Sequence, residues 1–201
     1  ATRRFLMLAY GDGGGLAREA LEEAPMAFPD ALRGPAGARL RGLAFSPAAA
    51  EDDRERLRSI DWLGVEPRIE NAARILRQCR EGQSRNAETL ARLDLGVLAL
   101  RVLAAQDLRL REAATYYAAA REGRSGSLAL AGDALERLRA SLAPLASRLN
   151  AAHEESGVGE AEISRLGRFE LWLKERIERL RQLRDEDALP AADETGLPSA
   201  E

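Results

Sequence analysis

Residues 86–122 contain no proline and a single glycine, Gly96, and this stretch limits the architectures open to the chain more than any other. Nothing in it stops a helix, and at 1.5 Å per residue a continuous one is about 55 Å long. Its apolar residues do not form one stripe. Leu90, Leu93, Val97, Leu100 and Ala104 mark one face, and Leu95, Leu98, Val102 and Ala105 mark another. A helix that is apolar on two sides is packed on two sides, which puts this segment at the centre of a bundle. No alternating strand pattern and no repeat of solenoid length appears elsewhere in the chain.

The neighbouring segments supply partners for that rod. Gly123-Arg124-Ser125-Gly126 forms the turn out of it. The next stretch spaces Leu135, Leu138, Leu142, Leu145 and Leu149 by threes and fours, the seam of a bundle helix. Pro144 is expected to kink that helix without ending it. Beyond Gly157-Val158-Gly159, a last helix carries Ile163, Leu166, Leu173, Ile177 and Leu180 inward. Its outer face spaces Glu170–Lys174, Glu175–Arg179 and Arg181–Asp185 for i,i+4 pairing.

Upstream, Ser46-Pro47 is a helix start, because serine caps free N–H groups and proline at the first position loses no hydrogen bond. That helix is expected to run through about Trp62 and to end at Gly64. Pro67 then opens another, with Ile69, Ala72, Ala73, Leu76 and Cys79 as its inner stripe. Glycine and proline crowd residues 1–50, so only short helices are expected there, over 5–10 and 16–24, with Pro25 as a stop.

The expected fold is therefore all-α. It is a helical bundle with three long antiparallel helices, about 86–122, 127–152 and 160–187, plus a short irregular helical N-terminal layer. The corresponding division is 1–50 as the Gly/Pro-rich layer packing on the bundle, 51–187 as the bundle, and 188–201 as a flexible tail.

Composition excludes several function classes. One histidine and one cysteine cannot build a zinc finger, a cysteine-rich scaffold or a histidine-based metal site. A net charge of −3 argues against a general nucleic-acid binder, and no apolar run approaches a membrane span. Lys174 is the sole lysine among 30 basic residues, a bias that fits a GC-rich source more than a dedicated anion site. The basic start Arg3-Arg4 precedes an apolar run too short for a secretory leader and reads as part of the fold; a cytoplasmic location is favoured over export.

Each candidate site has a plain structural alternative that outweighs it. Gly11-Asp12-Gly13-Gly14-Gly15 precedes a helix and could cradle a phosphate, but it has neither the Walker nor the dinucleotide spacing. His153-Glu154-Glu155 offers a base beside carboxylates at a polar helix end, where a histidine also serves as a favourable C-terminal charge. Asp94 and Arg101, with Asp107 and Arg111, could face a pocket; pairing with neighbouring helices is the alternative. Tyr116, Tyr117, Phe169 and Trp172 could form a stacking platform for a sugar or base, or cap a core. An arginine-lined anionic pocket like that of chorismate mutases would draw on Arg92, Arg101 and Arg109, but spacings of nine and eight residues put them on no common face. No residue is assigned as catalytic, cofactor-binding or metal-ligating, and no cofactor is expected.

One family resemblance goes further. The run Arg3-Arg4-Phe5-Leu6, followed by Tyr10-Gly11-Asp12-Gly13-Gly14-Gly15-Leu16-Ala17-Arg18-Glu19-Ala20, resembles the stretch after the catalytic barrel in bacterial family 20 glycoside hydrolases, the β-N-acetylhexosaminidase-like enzymes. Residues 86–121, with Arg85-Asn86-Ala87-Glu88 at their start, are similar to the long helix after that barrel. Phe169-Glu170-Leu171-Trp172-Leu173-Lys174-Glu175 resembles the late Leu-Trp-Leu helix; where the family often has Asn-Arg-Pro next, this chain has Arg176-Ile177-Glu178. The resemblance implies a non-catalytic C-terminal helical region, a fragment of a larger sugar-cleaving enzyme whose Asp-Glu acid pair lies upstream on the barrel. The implied partner is that upstream catalytic domain. The alternative from another class is a free-standing helical interaction or scaffold protein that forms homo-oligomers. Neither reading involves nucleic acid or a membrane.

Overall fold

The computed structural model describes residues 15–33, 51–82, 86–156, 159–185, 189–190 and 197. The fold is all-α, a helical bundle with no strand among the described residues. Among the described residues six α-helices follow in order: α1 (Leu16–Met26), α2 (Glu51–Arg58), α3 (Trp62–Gly82), α4 (Ala87–Arg121), α5 (Ser127–Ser156) and α6 (Glu160–Gln182). Short 3-10 turns lie at Asp30–Leu32 and Leu183–Asp185. The proposed 5–10 helix, the Ser46-Pro47 start and most of the N-terminal layer lie outside the described residues. The chain forms two compact units, and their boundary falls inside α4, between Arg101 and Val102.

In the N-terminal unit, α1 packs on α3 through a strip of small side chains, with Ala17, Ala20, Ala24 and Ala27 all buried. Pro25 lies within α1 and does not stop it at residue 24. Near the end of a helix its missing N–H removes a single bond, and the Ala27 N–H reaches the Glu23 carbonyl at 3.0 Å. On α3, Ile69, Ala72, Ala73, Leu76 and Cys79 are buried as their spacing requires. Phe28, in the turn after α1, meets α4 at Gly96; a methyl group there would sit 3.4 Å from the phenylalanine Cζ.

The start of α3 departs from the expectation. Trp62 begins this helix and does not end the previous one, and both Gly64 and Pro67 lie inside it. The cause is Asp61. Its carboxylate accepts the Gly64 N–H at 3.0 Å, and its carbonyl accepts the Val65 N–H at 3.1 Å. An aspartate in this role satisfies the orphan donors of a first turn. Gly64 allows the carboxylate to fold in, since a Cβ there would collide with Asp61 Oδ2. Read without its cap, Gly64 looks like a helix stop.

The long helix appears as expected, within one residue at each end. Asn86 precedes it at φ 50°, a left-handed conformation asparagine tolerates better than most residues. Gly123 and Gly126 supply positive φ values of 82° and 80° in the turn to α5. No residue from Leu93 to Asp107 is exposed, as a helix packed on more than one side demands.

The C-terminal unit contains residues 102–121 of α4, then α5 and α6. Helix α5 runs through Pro144 to Ser156, and its five seam leucines are all buried. They pack against α6, which buries Leu166, Phe169, Leu173, Ile177 and Leu180. Of the outer pairs anticipated on α6, Lys174–Glu170 forms at 3.3 Å, while Arg181 reaches across to Glu136 of α5 at 3.1 Å. Three tail residues are described: Leu189 and Pro190 are half-buried, and Leu197 is buried.

Candidate functional site

Some ionisable residues of α4 pair with adjacent helices, and others pair along α4 itself. In the N-terminal unit, Asp94, 14% exposed at its side chain, accepts a charge-assisted hydrogen bond from Arg80 of α3 at 2.7 Å. Arg101 forks onto the Glu70 carboxylate of α3, with Nε at 2.6 Å from Oε1 and Nη2 on Oε2. A two-pronged guanidinium–carboxylate contact fixes register between two helices as well as charge. In the C-terminal unit, Asp107 pairs with Arg111 along α4 at 2.9 Å. Glu112 holds Arg109 at 2.6 Å and meets Arg137 of α5 at 3.9 Å. Arg92 is tied to Glu88 at 2.6 Å. The residues proposed to line a pocket are thus engaged in pairs that join helices or brace one. Away from α4, Glu22 raises the Arg18 guanidinium above its ordinary pKa, on the exposed face of α1.

The aromatic candidates are not brought together as a platform. Tyr117 is fully buried, and its hydroxyl donates to the Pro190 carbonyl at 2.9 Å. Phe169 and Trp172 stack with ring centroids 5.6 Å apart and planes 12° from parallel. Arg176 lies over the Trp172 ring at 5.6 Å. Phe169 stands one helical turn before Trp172 and Arg176 one turn after, so the indole is covered from both sides along α6. A sugar or base would have to displace a neighbour to stack there.

Of the glycine-rich turn, Gly11 to Gly14 lie outside the described residues, and Gly15 caps α1 at φ 85°. His153 is half-buried near the end of α5, and its Nδ1 has no hydrogen-bond partner among the described residues; Glu154 and Glu155 beside it are exposed. Cys79 is a buried thiol in the α3 stripe. No group of His, Cys, Asp and Glu able to hold a metal ion occurs among the described residues, and no described helix is long and apolar enough to cross a membrane.

Sequence reasoning missed a groove of about 370 Å³ between the start of α5 and the end of α6. Its apolar lining comes from the half-buried Leu128 and from Ile177 and Leu180, which are themselves buried. Gly132 opens one wall: a Cβ there would meet nothing within 4 Å. Asp133 lies on the α5 side and Arg184 on the α6 side, and neither makes an ion pair or hydrogen bond among the described residues. One turn along, Glu136 and Arg181 close the groove with their ion pair. The available signal was a glycine in mid-helix beside an acid, a pattern with meaning only once the facing helix is in register.

No protein-family model, no curated protein and no solved structure matches the chain.

Proposed function

We propose that this chain is a non-catalytic helical packing module, in particular the helical region that follows the catalytic barrel of a family 20-like glycoside hydrolase. The observation that carries the reading is the use of charge in α4. Of the four ionisable residues proposed to face a pocket, Asp94 and Arg101 are tied to Arg80 and Glu70 on the adjacent α3, and Asp107 and Arg111 pair with each other along α4. Such pairs set helix register, and a substrate would have to break them. The family assignment within this reading is supported by the three sequence stretches that resemble those enzymes. The role is to cover the barrel and brace the rim of its sugar site.

A second reading is a free-standing interaction protein that associates with copies of itself. The groove beside Gly132 favours it, since two exposed opposite charges, Asp133 and Arg184, flank it and are unpaired among the described residues.

Sequencing the reading frame upstream of the Ala1 codon separates the two. Continuation into several hundred residues of alternating strands and helices, with an Asp-Glu pair after one strand, is the result expected of the hydrolase form. A start codon immediately before Ala1 removes that form and leaves the interaction protein.

A further inference from the structure

We propose that the C-terminal unit carries a site for an extended Leu-Pro peptide, latched by the Tyr117 hydroxyl, and that the chain's own Leu189-Pro190 and Leu197 occupy it as a removable strap. The proposal goes beyond both readings above and depends on neither. Among the described residues, helical structure ends at Asp185. Leu189 and Leu197 are the only large apolar residues of 188–201. On a segment without a docking site, both would stand in water. Instead Leu189 is half-buried and Leu197 is 4% exposed. Tyr117, Pro190 and Leu197 all belong to the C-terminal unit. The seven residue steps from Pro190 to Leu197 reach no further than about 25 Å, so the Leu197 contact lies within that distance of the latch.

The chemistry of the contact suits a peptide of this kind. Proline pushes the residue before it into extended backbone and has no N–H of its own. A Leu-Pro step thus presents an extended backbone, an acceptor carbonyl and an apolar side chain together. The hydroxyl of the fully buried Tyr117 donates to that carbonyl at 2.9 Å, and a buried phenol requires such an acceptor. Leu197-Pro198 repeats the step eight residues on. A strap on the same chain competes at an effective concentration on the order of millimolar, so a Leu-Pro segment from outside enters when the strap is released.

Thiol reactivity of the whole chain tests this. Leu197→Cys adds a thiol to a chain whose native Cys79 is buried, and Arg184→Cys provides an exposed reference. With the strap seated, the thiol at 197 should react with an aromatic disulfide at least about tenfold more slowly than the reference. Adding Tyr117→Phe removes the latch and should quicken it about fivefold. A synthetic peptide of residues 186–201 at millimolar concentration should also quicken it, by displacing the strap. The same peptide with aspartate in place of both leucines should not. Leu189→Cys leaves Leu197 in place and guards against the first variant loosening the strap by itself; its rate should rise in the same way. Thiols at 189 and 197 that both react as fast as the reference overturn the proposal. Slow thiols that neither Tyr117→Phe nor the peptide quickens also overturn it, because Leu197 is then a permanent part of the core.

Discussion

The two units use one continuous helix in different ways. In the N-terminal unit the first half of α4 buries Leu90, Val97 and Leu100, pairs its charges with Arg80 and Glu70, and meets the Phe28 ring at Gly96. Its companion α1 buries three alanines, with a fourth, Ala27, buried at its C-cap, and no larger residue of its own. In the C-terminal unit the packing is large and apolar, with the leucine seam of α5 against Phe169, Leu173, Ile177 and Leu180 of α6. Apolar burial stabilises in proportion to the area removed from water, so a leucine contributes several times what an alanine does. The α1 face depends on close fit, although its unit also buries Ile69, Ile75, Leu76, Leu90 and Leu100; the α5–α6 seam depends on bulk. This difference predicts where each can be damaged.

The largest effect is expected in the leucine seam. Leu173 is fully buried, and Leu173→Ala should cost about 2–5 kcal/mol through lost transfer free energy and the cavity left behind. Urea unfolding followed by hydrogen exchange is the appropriate measurement, because exchange resolves units that open separately. Amides of α5 and α6 should lose most protection. If those of α1 and α3 fall equally, the two units unfold as one and the comparison fails.

The reverse substitution probes the other unit. Ala20 is fully buried on the α1 face toward α3. Ala20→Leu adds apolar volume and improves no contact, so it should destabilise by about 1–3 kcal/mol through overpacking. A gain in stability would show slack between α1 and α3 and would break the contrast of close fit against bulk.

A smaller effect, about 1 kcal/mol, is expected from Tyr117→Phe, which leaves the Pro190 carbonyl without its donor. In the same exchange experiment the loss should register in the C-terminal unit. An unchanged midpoint would mean that water replaces the hydroxyl at no cost.

These residues also show how much was legible in the sequence. The limits of α4 and the turn at Gly123 and Gly126 follow from local rules, since proline, glycine and a left-handed residue act on their own backbone. The inner stripes of α3, α5 and α6 follow from periodicity. The start of α3 was misread because the decisive group is the Asp61 side chain, whose cap makes Gly64 part of the helix. Asp94 and Arg101 were recognisable as ionisable residues on an apolar rod. Their partners were not, because Arg80 and Glu70 are selected by the register of two helices, which no local pattern specifies. The groove beside Gly132 was hidden for the same reason.

The smallest effect sharpens the comparison most. Glu70–Arg101 is a two-pronged pair with side chains 50% and 38% exposed. Water screens charges at that exposure, so a double-mutant cycle with Glu70→Gln and Arg101→Met should give a coupling of about 0.2–1 kcal/mol, diminishing as salt is added. Within that range the pair fixes the register of α3 against α4 more than it stabilises either, and buried side chains such as Ile69, Ile75, Leu76, Leu90 and Leu100 hold the unit. A coupling well above that range, insensitive to salt, would mean the pair is drier than its exposure indicates. The N-terminal unit would then be held by charge as well as by its apolar core.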